Sequence, residues 1–537
     1  MRWIDDGDAD LLVVGNALRS QAEAIGDDVF LMGEDRRLSY VVVNDLANRY
    51  AHGLADLGVS RGDTVSILMT NSVDLVLVAL AVNKLGAAWV PSNTANKGEW
   101  LRNNLDDGRA ELLVTDLAHV DRVTDLGDDL PIGRAVVLGL DEADRVGSLE
   151  RLPFAVLDSG KTDDPGVRVD RNDLSAVMWT SGTTGRSKGV MQSHGCWLTN
   201  ASVLARSRGP RPGDAFYCCV PLFNSGGWSL NTFSALVSGL PIGIDAGFSV
   251  TEFWDRCRLY GASHILTLGA MHMFLWQAPP RDDDALNPVR LGACVPLPHE
   301  LVGPFKERFG IEQVWQGFGQ SEMMGWTLCD SSRDDWQPNS CGIVRPDLEV
   351  KLLDEDDREV PTGSVGEVCV RPRRPGVMFS GYFHQPEVTL QAFRNLWYHS
   401  GDLARFDEGG ELYFVDRTAD YMRFGGRNVA SFDVERAVAS HPDVIEVAAH
   451  GVPSAELESE TEVKVCVILR EGATVTEEEL ARHVNANAPH FLVPRYIEFV
   501  DDLPHTPTGR VQKFLLRERG LTEGTWDRVA AGYQVEK

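Results

Sequence analysis

The sequence predicts an α/β protein with a β-rich region and a small separate domain at its C-terminal end. Strand-like and helix-like segments alternate with short turns through residues 1–170, which is typical of a parallel sheet covered by helices. Short strands dominate residues 349–415, and a strand–helix–strand pattern occupies residues 421–537. A chain of 537 residues has room for about three or four domain-sized units, or for one large domain and a smaller one.

The elements of the first part are predicted from apolar periodicity. Val42–Leu57 has apolar residues at helical spacing and ends at Gly58, and Val73–Leu85 predicts a second helix. The predicted strands are Thr64–Met69, Ala87–Val90 and Leu112–Thr115. This part of the chain carries few groups suited to chemistry, so we expect it to be scaffold.

A glycine- and hydroxyl-rich segment, Met178–Val190, lies between two apolar runs. Glycines let backbone N–H groups converge on an anion, hydroxyls add donors, and Lys188 adds a positive charge. The segment is not a Walker A loop, since Ser187, Lys188 and Gly189 stand where that loop needs glycine, lysine and Ser/Thr. A flexible surface turn is the simpler alternative, but the flanking strands and the lysine favour a phosphate-binding hairpin.

The middle of the chain predicts further strands and helices around two glycine-rich turns. These elements are a helix at Gly195–Arg206, strands at Phe216–Pro221 and Val289–Leu297, and a helix at Leu301–Phe309. The turn at Leu222–Trp228 either lines a pocket or buries a core aromatic, and the sequence leaves both open. In the turn at Gln316–Gly325, Glu322 suits a Mg²⁺ site beside phosphates, although a single glutamate is commonly just solvated.

The β-rich region and the C-terminal part are predicted as a small barrel or meander followed by an α+β unit. The strands and helices are Val350–Leu353, Val368–Val370, Leu412–Val415, helix Val434–Ser440, strands Val444–Val452 and Val463–Leu469, and helix Glu477–Asn487. Asp402, after Gly401, is either a structural turn residue or a ligand for a ribose diol. The composition becomes more polar near Arg417–Asp420, where we expect a domain boundary.

Composition and charge exclude several classes of function. A net charge of −28 argues against nonspecific binding to nucleic acid or to an anionic membrane. The nine cysteines include no Cys-x-x-Cys pair, so neither a zinc site nor a disulfide framework is expected. The apolar run Leu75–Val82 is too short to span a bilayer, and the acidic start lacks the features of a signal peptide. We therefore expect a cytoplasmic protein.

Five segments in chain order resemble motifs of the adenylate-forming (ANL) superfamily of acyl-CoA synthetases, firefly luciferases and nonribosomal-peptide adenylation domains. They are Thr180–Gly189 (phosphate loop), Phe318–Glu322 (aromatic-Gly-x-Thr-Glu motif), Ser400–Asp402 (ribose-binding Ser-Gly-Asp), Asp416–Arg417 (Gly/Asp-Arg before the hinge) and Thr506–Arg510 (terminal Pro-x-Thr-x-x-Gly-Lys loop). The resemblance covers essentially the whole chain, in register.

The resemblance implies a specific architecture. It implies a large N-terminal domain, residues 1–416, of two helix-flanked sheets and a small distorted β-barrel. It also implies a small α+β domain, residues 421–537, that rotates about a hinge at residues 417–420, including Ala419 and Asp420.

The resemblance further implies a two-step reaction. A carboxylate attacks the α-phosphate of ATP to give acyl-AMP and pyrophosphate, and the thiol of coenzyme A then displaces AMP. Mg²⁺ would be held by Glu322. Catalytic positions fall on Lys188, Asn224, Glu322, Gly425 and Arg510. Nucleotide and cofactor contacts fall on Thr180, Ser181, Gly182, Thr183, Thr184, Ala293, Cys294, Val295, Pro296, Gly317, Phe318, Gly319, Gln320, Ser321, Asp402, Arg417, Gly426 and Arg427.

Three positions depart from the family pattern. Arg510 replaces the lysine that contacts the substrate carboxylate and the α-phosphate, Asn224 replaces the histidine of a Pro-Leu-Phe-His motif, and Ala419 stands at the hinge. A guanidinium is a rigid planar fork and does not reproduce an ammonium point charge. We therefore expect impaired adenylation with retained transfer of preformed acyl-AMP to coenzyme A, the acyl-AMP being supplied by a separate adenylating enzyme.

Other functions stay open beside this one. Arg510 could simply replace lysine in a complete ATP-dependent synthetase, and a free-standing adenylation domain, a luciferase and a non-catalytic nucleotide-binding protein share the fold. We expect the acyl pocket at Phe223, Trp228, Met323, Met324, Gly325 and Trp326. Large apolar side chains there favour a bulky hydrophobic carboxylic acid. A monomer and a homodimer are equally compatible with the sequence.

Overall fold

A computed structural model of the chain describes residues 1–180, 187–330, 337–418, 420, 422–424, 427–453, 461–505 and 511–535. These residues form two compact units. Within the described ranges, the first unit comprises residues 1–180, 187–349 and 371–393, and the second comprises residues 350–370 and 394–535.

The strands of the first unit are short and come mostly from apolar runs. In chain order they are β1 Val29–Met32, β2 Arg37–Ser39, β3 Thr64–Leu68, β4 Ala88–Pro91, β5 Leu112–Asp116, β6 Arg134–Leu138, β7 Asp144–Val146, β8 Leu149–Pro153, β9 Leu174–Thr180, β10 Lys188–Ser193, β11 Phe216–Cys218, β12 Ile242–Ile244, β13 His264–Leu268, β14 Leu291–Val295, β15 Gln313–Gln316, β16 Gly319–Gln320, β17 Met324–Gly325, β18 Thr327–Asp330 and β19 Gly342–Val344.

The helices of the first unit alternate with these strands. They are α1 Val14–Ile25, α2 Tyr40–Asp56, α3 Val73–Lys84, α4 Gly98–Gly108, α5 Val120–Thr124, α6 His194–Ser207, α7 Phe233–Ser238, α8 Phe253–Tyr260, α9 Ala270–Gln277, α10 His299–Phe309 and α11 Pro386–Ala392. A π-helical turn at Gly227–Thr232 leads directly into α7.

Two mostly parallel sheets organise the first unit. One has the order β10-β9-β4-β3-β5-β6-β8-β7, in which only the edge strands β10 and β7 run antiparallel to their neighbours. The other contains β2-β1-β12-β11-β13-β14-β15-β18-β19, with parallel pairing from β1 through β15. The parallel arrangement agrees with the alternation of strands and helices in the sequence.

Helix α3 is buried over almost its whole length. It begins at Ser72, whose hydroxyl accepts a hydrogen bond from the N–H of Leu75 at 3.1 Å. Almost all of its residues are buried, so the helix is apolar around its whole circumference rather than along one stripe. Nearby, Trp89 of β4 packs against Trp197 of α6 and against Trp228, with ring centroids 6.0 and 4.3 Å away.

The remaining strands and helices belong mainly to the second unit. They are β20 Leu348–Leu353, β21 Gly366–Pro372, β22 Tyr398–Phe406, β23 Glu411–Arg417, β24 Met422–Phe424, β25 Arg427–Val429, β26 Val444–Pro453, β27 Thr461–Leu469, β28 Tyr496–Phe499 and β29 Trp526–Asp527, with α12 Ser431–Ala439, α13 Glu477–Asn487 and α14 Lys513–Arg519.

The second unit is built from a β-meander and a small mixed sheet. Strands β20 to β23 are neighbours in chain order, and β21, β22 and β23 pair antiparallel. Strands β26 to β29 form a four-stranded sheet with one parallel pair, β27 and β28. Helices α12 and α13 cover it with a core that includes Val434, Val438, Leu480 and Val484.

The architecture confirms the predicted α/β fold with two helix-flanked sheets and a smaller C-terminal α+β part. The meander at residues 350–370 and 394–418 groups with the C-terminal part, whereas the resemblance places it in a large domain of residues 1–416, which stays a prediction. The boundary at residues 417–420 stays a prediction. All nine cysteines are free thiols, and among the described residues no helix is long and apolar enough to cross a membrane.

Candidate active site

The phosphate loop is predicted on a hairpin, and the structure provides that hairpin. β9 and β10 pair antiparallel with Thr180 opposite Lys188, and the Thr180 hydroxyl donates to the Lys188 carbonyl at 3.3 Å. Thr180 and Lys188 therefore mark the two ends of the loop. Ser181, Gly182, Thr183 and Thr184 lie outside the described residues.

An extended segment, Phe379–Phe383, lies along the free side of β10. The Met191 N–H donates to the Gly381 carbonyl at 3.0 Å, and the Phe383 N–H donates to the Gly189 carbonyl at 2.7 Å. Gly381 has a φ of +127°, and a Cβ there would lie 3.0 Å from the Thr389 side chain, so glycine is required. The strand that carries Lys188 is thus hydrogen-bonded on both edges.

Tyr382 of this segment connects Lys188 to Glu322. Its hydroxyl donates to Oε1 of Glu322 at 2.9 Å, and the Lys188 ammonium lies 5.1 Å from the centre of its ring. The Phe379 N–H also donates to the Glu322 carbonyl at 2.9 Å. Tyr382 and Glu322 are both buried, at 5% and 7% exposure. Lys188, the predicted phosphate-binding lysine, and Glu322, the predicted metal-binding carboxylate, therefore both contact the side chain of Tyr382.

The motif around Phe318 is held by a tight hairpin, β16–β17. A Cβ on Gly319 would lie 2.3 Å from the Met324 carbonyl, which explains the glycine. The Phe318 N–H donates to the Thr327 hydroxyl at 2.8 Å, and its ring meets Trp326 edge-on at 5.5 Å. Gly317, Gln320 and Gly325 belong to the same turn or strands. The Ser321 hydroxyl lies 3.1 Å from that of Ser225, which joins this motif to the turn at Asn224.

The predicted acyl-pocket residues have different surroundings. Phe223 and Asn224 are half-buried, and Asn224 Oδ1 accepts the Gly226 N–H at 3.2 Å. Met323, Met324 and Trp326 are buried. Trp228 is fully buried, and its indole N–H donates to the Leu222 carbonyl at 2.6 Å. Its ring packs against that of Trp89 in a tilted arrangement, which is typical of a core residue, and its place in the acyl-pocket wall stays a prediction.

The predicted adenine segment, Ala293–Pro296, lies at the end of β14 and is fixed by two side chains. His272 Nε2 lies 2.7 Å from the Pro296 carbonyl, and Gln316 Oε1 accepts the Leu297 N–H at 2.9 Å. Burial lowers the pKa of His272 to about 4, so the ring is neutral at pH 7 and donates from Nε2. The carboxyl end of a parallel strand is where open α/β sheets bind ligands.

The predicted ribose residues lie on β22 and β23 of the second unit. Asp402 is opposite Arg417 in the pairing, and Arg417 Nε lies 3.2 Å from the fully buried Asp402 carboxylate. Glu367 Oε1 accepts the Gly401 N–H at 3.0 Å, and the Asp402 N–H donates to the Ser400 hydroxyl at 3.1 Å. The Ser-Gly-Asp segment of β22 is therefore fixed on both sides of its glycine.

The predicted hinge, residues 417–420, directly follows Asp416 in the chain. Asp416 Oδ1 accepts a hydrogen bond from the Ser431 hydroxyl at 3.1 Å, and Arg517 pairs with Asp420. Lys513 Nζ lies 2.5 Å from the Ser431 hydroxyl and 2.8 Å from Glu435. Ala419, Gly425, Gly426 and Arg510 lie outside the described residues, and Arg427 is described only as a backbone position in β25.

Comparison with known proteins identifies the family. The profile of AMP-binding enzymes matches residues 18–383, and the profile of the AMP-binding enzyme C-terminal domain matches residues 433–510. The first match alone covers more than half of the chain. The chain belongs to the AMP-binding enzyme family.

Relatives of this AMP-binding enzyme include acyl-CoA ligases. A crotonobetaine/carnitine–CoA ligase of Salmonella enteritidis PT4 (strain P125109) is 28% identical over 517 residues, covering 94% of this chain and 99% of that protein. ATP-bound MatB from Rhodopseudomonas palustris matches with a TM-score of 0.82 at 26% identity, covering 94% and 98% of the two chains. This chain is thus an enzyme of the acyl-CoA synthetase type in the ANL superfamily.

The fold likeness extends further. The anthranilate CoA ligase AuaEII, solved with anthranoyl-AMP, matches with a TM-score of 0.85 at 24% identity, covering 98% of this chain and 100% of that one. At this identity the likeness concerns the fold.

The AMP-binding enzyme has one further group of side chains with metal-ligand chemistry among its described residues: Glu367, Cys369 and His399. His399 Nδ1 lies 2.8 Å from Glu367 and 3.3 Å from the Cys369 sulfur. The Arg394 guanidinium lies 3.3 Å from the same Glu367 oxygen, so its positive charge already pairs with the carboxylate that a metal ion would need. Burial raises the pKa of the Cys369 thiol, which disfavours the thiolate that a metal needs. Within this group, Glu367 instead accepts the hydrogen bond from the Gly401 N–H.

Two residues of this site were missed in the sequence analysis, Tyr382 and His272. The local signal for Tyr382 is weak, because an aromatic residue after a glycine is common in turns. Tyr382 lies 60 residues from Glu322 in the chain, and His272 lies 24 residues from Pro296. Only the folded chain brings these pairs together.

Proposed function

We propose that this chain is an acyl-CoA ligase that forms a thioester between a bulky hydrophobic carboxylic acid and coenzyme A through an acyl-AMP. The observation that carries the proposal is the convergence of Lys188 and Glu322 on Tyr382. Phosphoryl transfer depends on positioned positive charge, and this arrangement supplies a lysine together with a carboxylate suited to a metal.

In the first half-reaction, an oxygen of the acid attacks the α-phosphorus of ATP, the bond from that phosphorus to the bridging oxygen of the β-phosphate breaks, and pyrophosphate leaves. Lys188 would pair with the phosphates, while Asp402 and Arg417 would bind the ribose. The carboxylate of Glu322 fits Mg²⁺, because it is a hard oxygen ligand held in place by a neutral hydroxyl. When bound, Mg²⁺ would neutralise phosphate charge.

In the second half-reaction, the thiol of coenzyme A loses its proton to solvent and its sulfur attacks the acyl carbon. The bond between that carbon and the phosphate oxygen breaks, and AMP leaves. The glycines at 425 and 426 would admit the pantetheine arm after residues 421–537 rotate about residues 417–420. Hydrophobic residues such as Phe223 and Met324 would contact the acid.

We further propose that the first half-reaction is impaired. Arg510 stands at the position of the family's catalytic lysine. Lys513, three residues later, is paired with Glu435 at 2.8 Å and is not available to replace it. A separate adenylating enzyme would then supply the acyl-AMP. A complete ATP-dependent synthetase is the second candidate, and the matches to ATP-bound MatB and to the crotonobetaine/carnitine–CoA ligase favour it.

Separate assays of the two half-reactions test the proposal. ATP–pyrophosphate exchange is measured across aryl, fatty and small carboxylic acids, and thioester formation is measured from synthetic acyl-AMPs and coenzyme A. We expect weak exchange and strong thioester formation with bulky hydrophobic acyl groups. Strong exchange would favour a complete synthetase, and absence of both activities would contradict the acyl-CoA ligase proposal.

A further inference from the structure

Tyr382 contacts the phosphate hairpin and the metal carboxylate with different parts of its side chain. Its hydroxyl donates to Glu322 at 2.9 Å, and its ring lies 5.1 Å from the Lys188 ammonium. Its backbone position is also fixed, because Tyr382 is opposite Val190 of β10 and its N–H donates to the Thr389 hydroxyl at 2.9 Å. The side chain therefore has little freedom to move away from either partner.

We propose that Tyr382 is a positioning residue for the binding of metal and nucleotide: its hydroxyl orients the Glu322 carboxylate, and its ring holds the Lys188 ammonium. The inference rests on the proposed function, in which Glu322 and Lys188 bind Mg²⁺ and the phosphates of ATP. A hydrogen bond from a neutral hydroxyl orients a carboxylate without cancelling its charge, whereas a lysine or arginine partner would compete with the metal.

The surrounding backbone strengthens the argument. The segment Phe379–Phe383 hydrogen-bonds Glu322 through the Phe379 N–H, and it hydrogen-bonds β10 through Gly381 and Phe383. Tyr382 thus lies on one short segment that contacts both the metal-side carboxylate and the phosphate-side strand. A change at Tyr382 should alter Mg²⁺-dependent nucleotide binding, whereas it should leave the folded structure in place.

The two parts of the side chain can be tested separately with ATP as the probe. Calorimetric titrations of ATP are made in Mg²⁺ and in EDTA, without a carboxylic acid. Tyr382→Phe keeps the ring over Lys188 and removes the hydroxyl. We expect it to weaken ATP binding in Mg²⁺ about tenfold, the usual effect of losing a partner that orients a metal ligand, and to leave binding in EDTA unchanged.

Tyr382→Leu removes the ring as well. We expect it to weaken ATP binding in EDTA too, by about threefold to tenfold, because the cation–π contact that holds Lys188 is lost. Tyr217→Phe is the matched control, since Tyr217 is also buried and its hydroxyl donates to a carboxylate, that of Asp245, at 2.8 Å. Its ATP affinity should equal that of the wild type in both buffers.

Two results would overturn the inference. One is a Tyr382→Phe variant that binds ATP in Mg²⁺ as tightly as the wild type does. The other is an equal loss in Mg²⁺ and in EDTA, which would indicate general structural damage. Failure of the wild type to bind ATP in either buffer would instead contradict that part of the proposed function in which Lys188 and Glu322 bind the phosphates of ATP and Mg²⁺, so the two failures are distinguishable.

Discussion

Lys513 is ion-paired with Glu435 at 2.8 Å, and the same ammonium lies 2.5 Å from the Ser431 hydroxyl. The Ser431 hydroxyl in turn donates to Oδ1 of Asp416 at 3.1 Å. Asp416 is the residue just before the predicted hinge. The lysine that follows Arg510 in sequence therefore serves a structural network.

Replacing Arg510 with lysine should raise adenylation. The variant Arg510→Lys restores the point charge of the family, and an ångström of misplacement at such a site can cost about 100-fold in rate. We expect pyrophosphate exchange to rise by about tenfold or more, while thioester formation from synthetic acyl-AMP stays nearly constant. Arg482→Lys, on the exposed face of α13 at 61% side-chain exposure, is the matched control. No gain in exchange would count against an impairment caused by Arg510.

Removing the Lys513 charge should destabilise the second unit. In Lys513→Met, Glu435 and Asp416 keep their carboxylates in a mostly buried setting, and leaving such groups without a cation costs about 2 kcal/mol. The control Lys351→Met breaks an exposed pair with Glu359 and should cost less than about 0.5 kcal/mol. Urea unfolding of both variants at pH 7 measures the difference, and equal losses would argue against the network.

The same variant has a defined pH dependence. Burial raises the pKa values of both Asp416 and Glu435, and Lys513 opposes that rise. Without Lys513, the folded state should bind protons at higher pH than the unfolded state does, so stability increases as the pH falls. The deficit of Lys513→Met relative to the wild type should therefore shrink from pH 7 toward about pH 5. A deficit that grows on acidification would contradict this assignment.

Elements with strong local signals were predicted closely. The helix Glu477–Asn487 has the predicted ends, because Thr476 and Glu479 form a capping box at its start. The buried helix α3 and the hairpin at Lys188 also agree with their apolar and glycine-rich patterns. In each case, the residues that determine the element lie within it or next to it.

The errors arise where distant residues decide the local structure. The strand predicted at Phe216–Pro221 ends at Cys218, since the Asn71 side chain donates to the Val220 carbonyl and accepts the Leu222 N–H, both at 2.8 Å. These bonds replace strand pairing. Trp228 packs on Trp89, whereas its sequence leaves a pocket and a core position open, because an apolar residue beside glycines suits both equally well.

Loss of the His272 side chain should weaken nucleotide binding, because His272 holds the predicted adenine segment in place. Its Nε2 lies 2.7 Å from the Pro296 carbonyl, at the end of the predicted adenine segment. We expect His272→Ala to raise the Kd for AMP about fivefold, since the hydrogen bond that fixes the segment is worth about 1 kcal/mol. His272→Gln keeps a donor amide and should recover much of the affinity. If both variants bind AMP as the wild type does, His272 does not position this segment.

Acid should destabilise the first unit through His194. This ring is fully buried, and its Nδ1 accepts the Val14 N–H at 3.3 Å at the start of α1. Burial lowers its pKa to about 4, below the ordinary 6.5 of the unfolded chain. The unfolded state therefore binds more protons between these values, and stability is lost as the pH falls through that window. Between pH 7 and pH 5 the loss should be about 2 kcal/mol from this residue.

The variant His194→Asn isolates this contribution. Its amide oxygen can accept the Val14 N–H and does not titrate, so the difference in unfolding free energy between wild type and variant should change by about 2 kcal/mol in favour of the variant from pH 7 to pH 5. Urea unfolding followed by tryptophan fluorescence reports on this unit through Trp89, Trp197 and Trp228. His490→Asn, at a half-buried position in the second unit, serves as the control. A difference that does not vary with pH would show that His194 is not responsible.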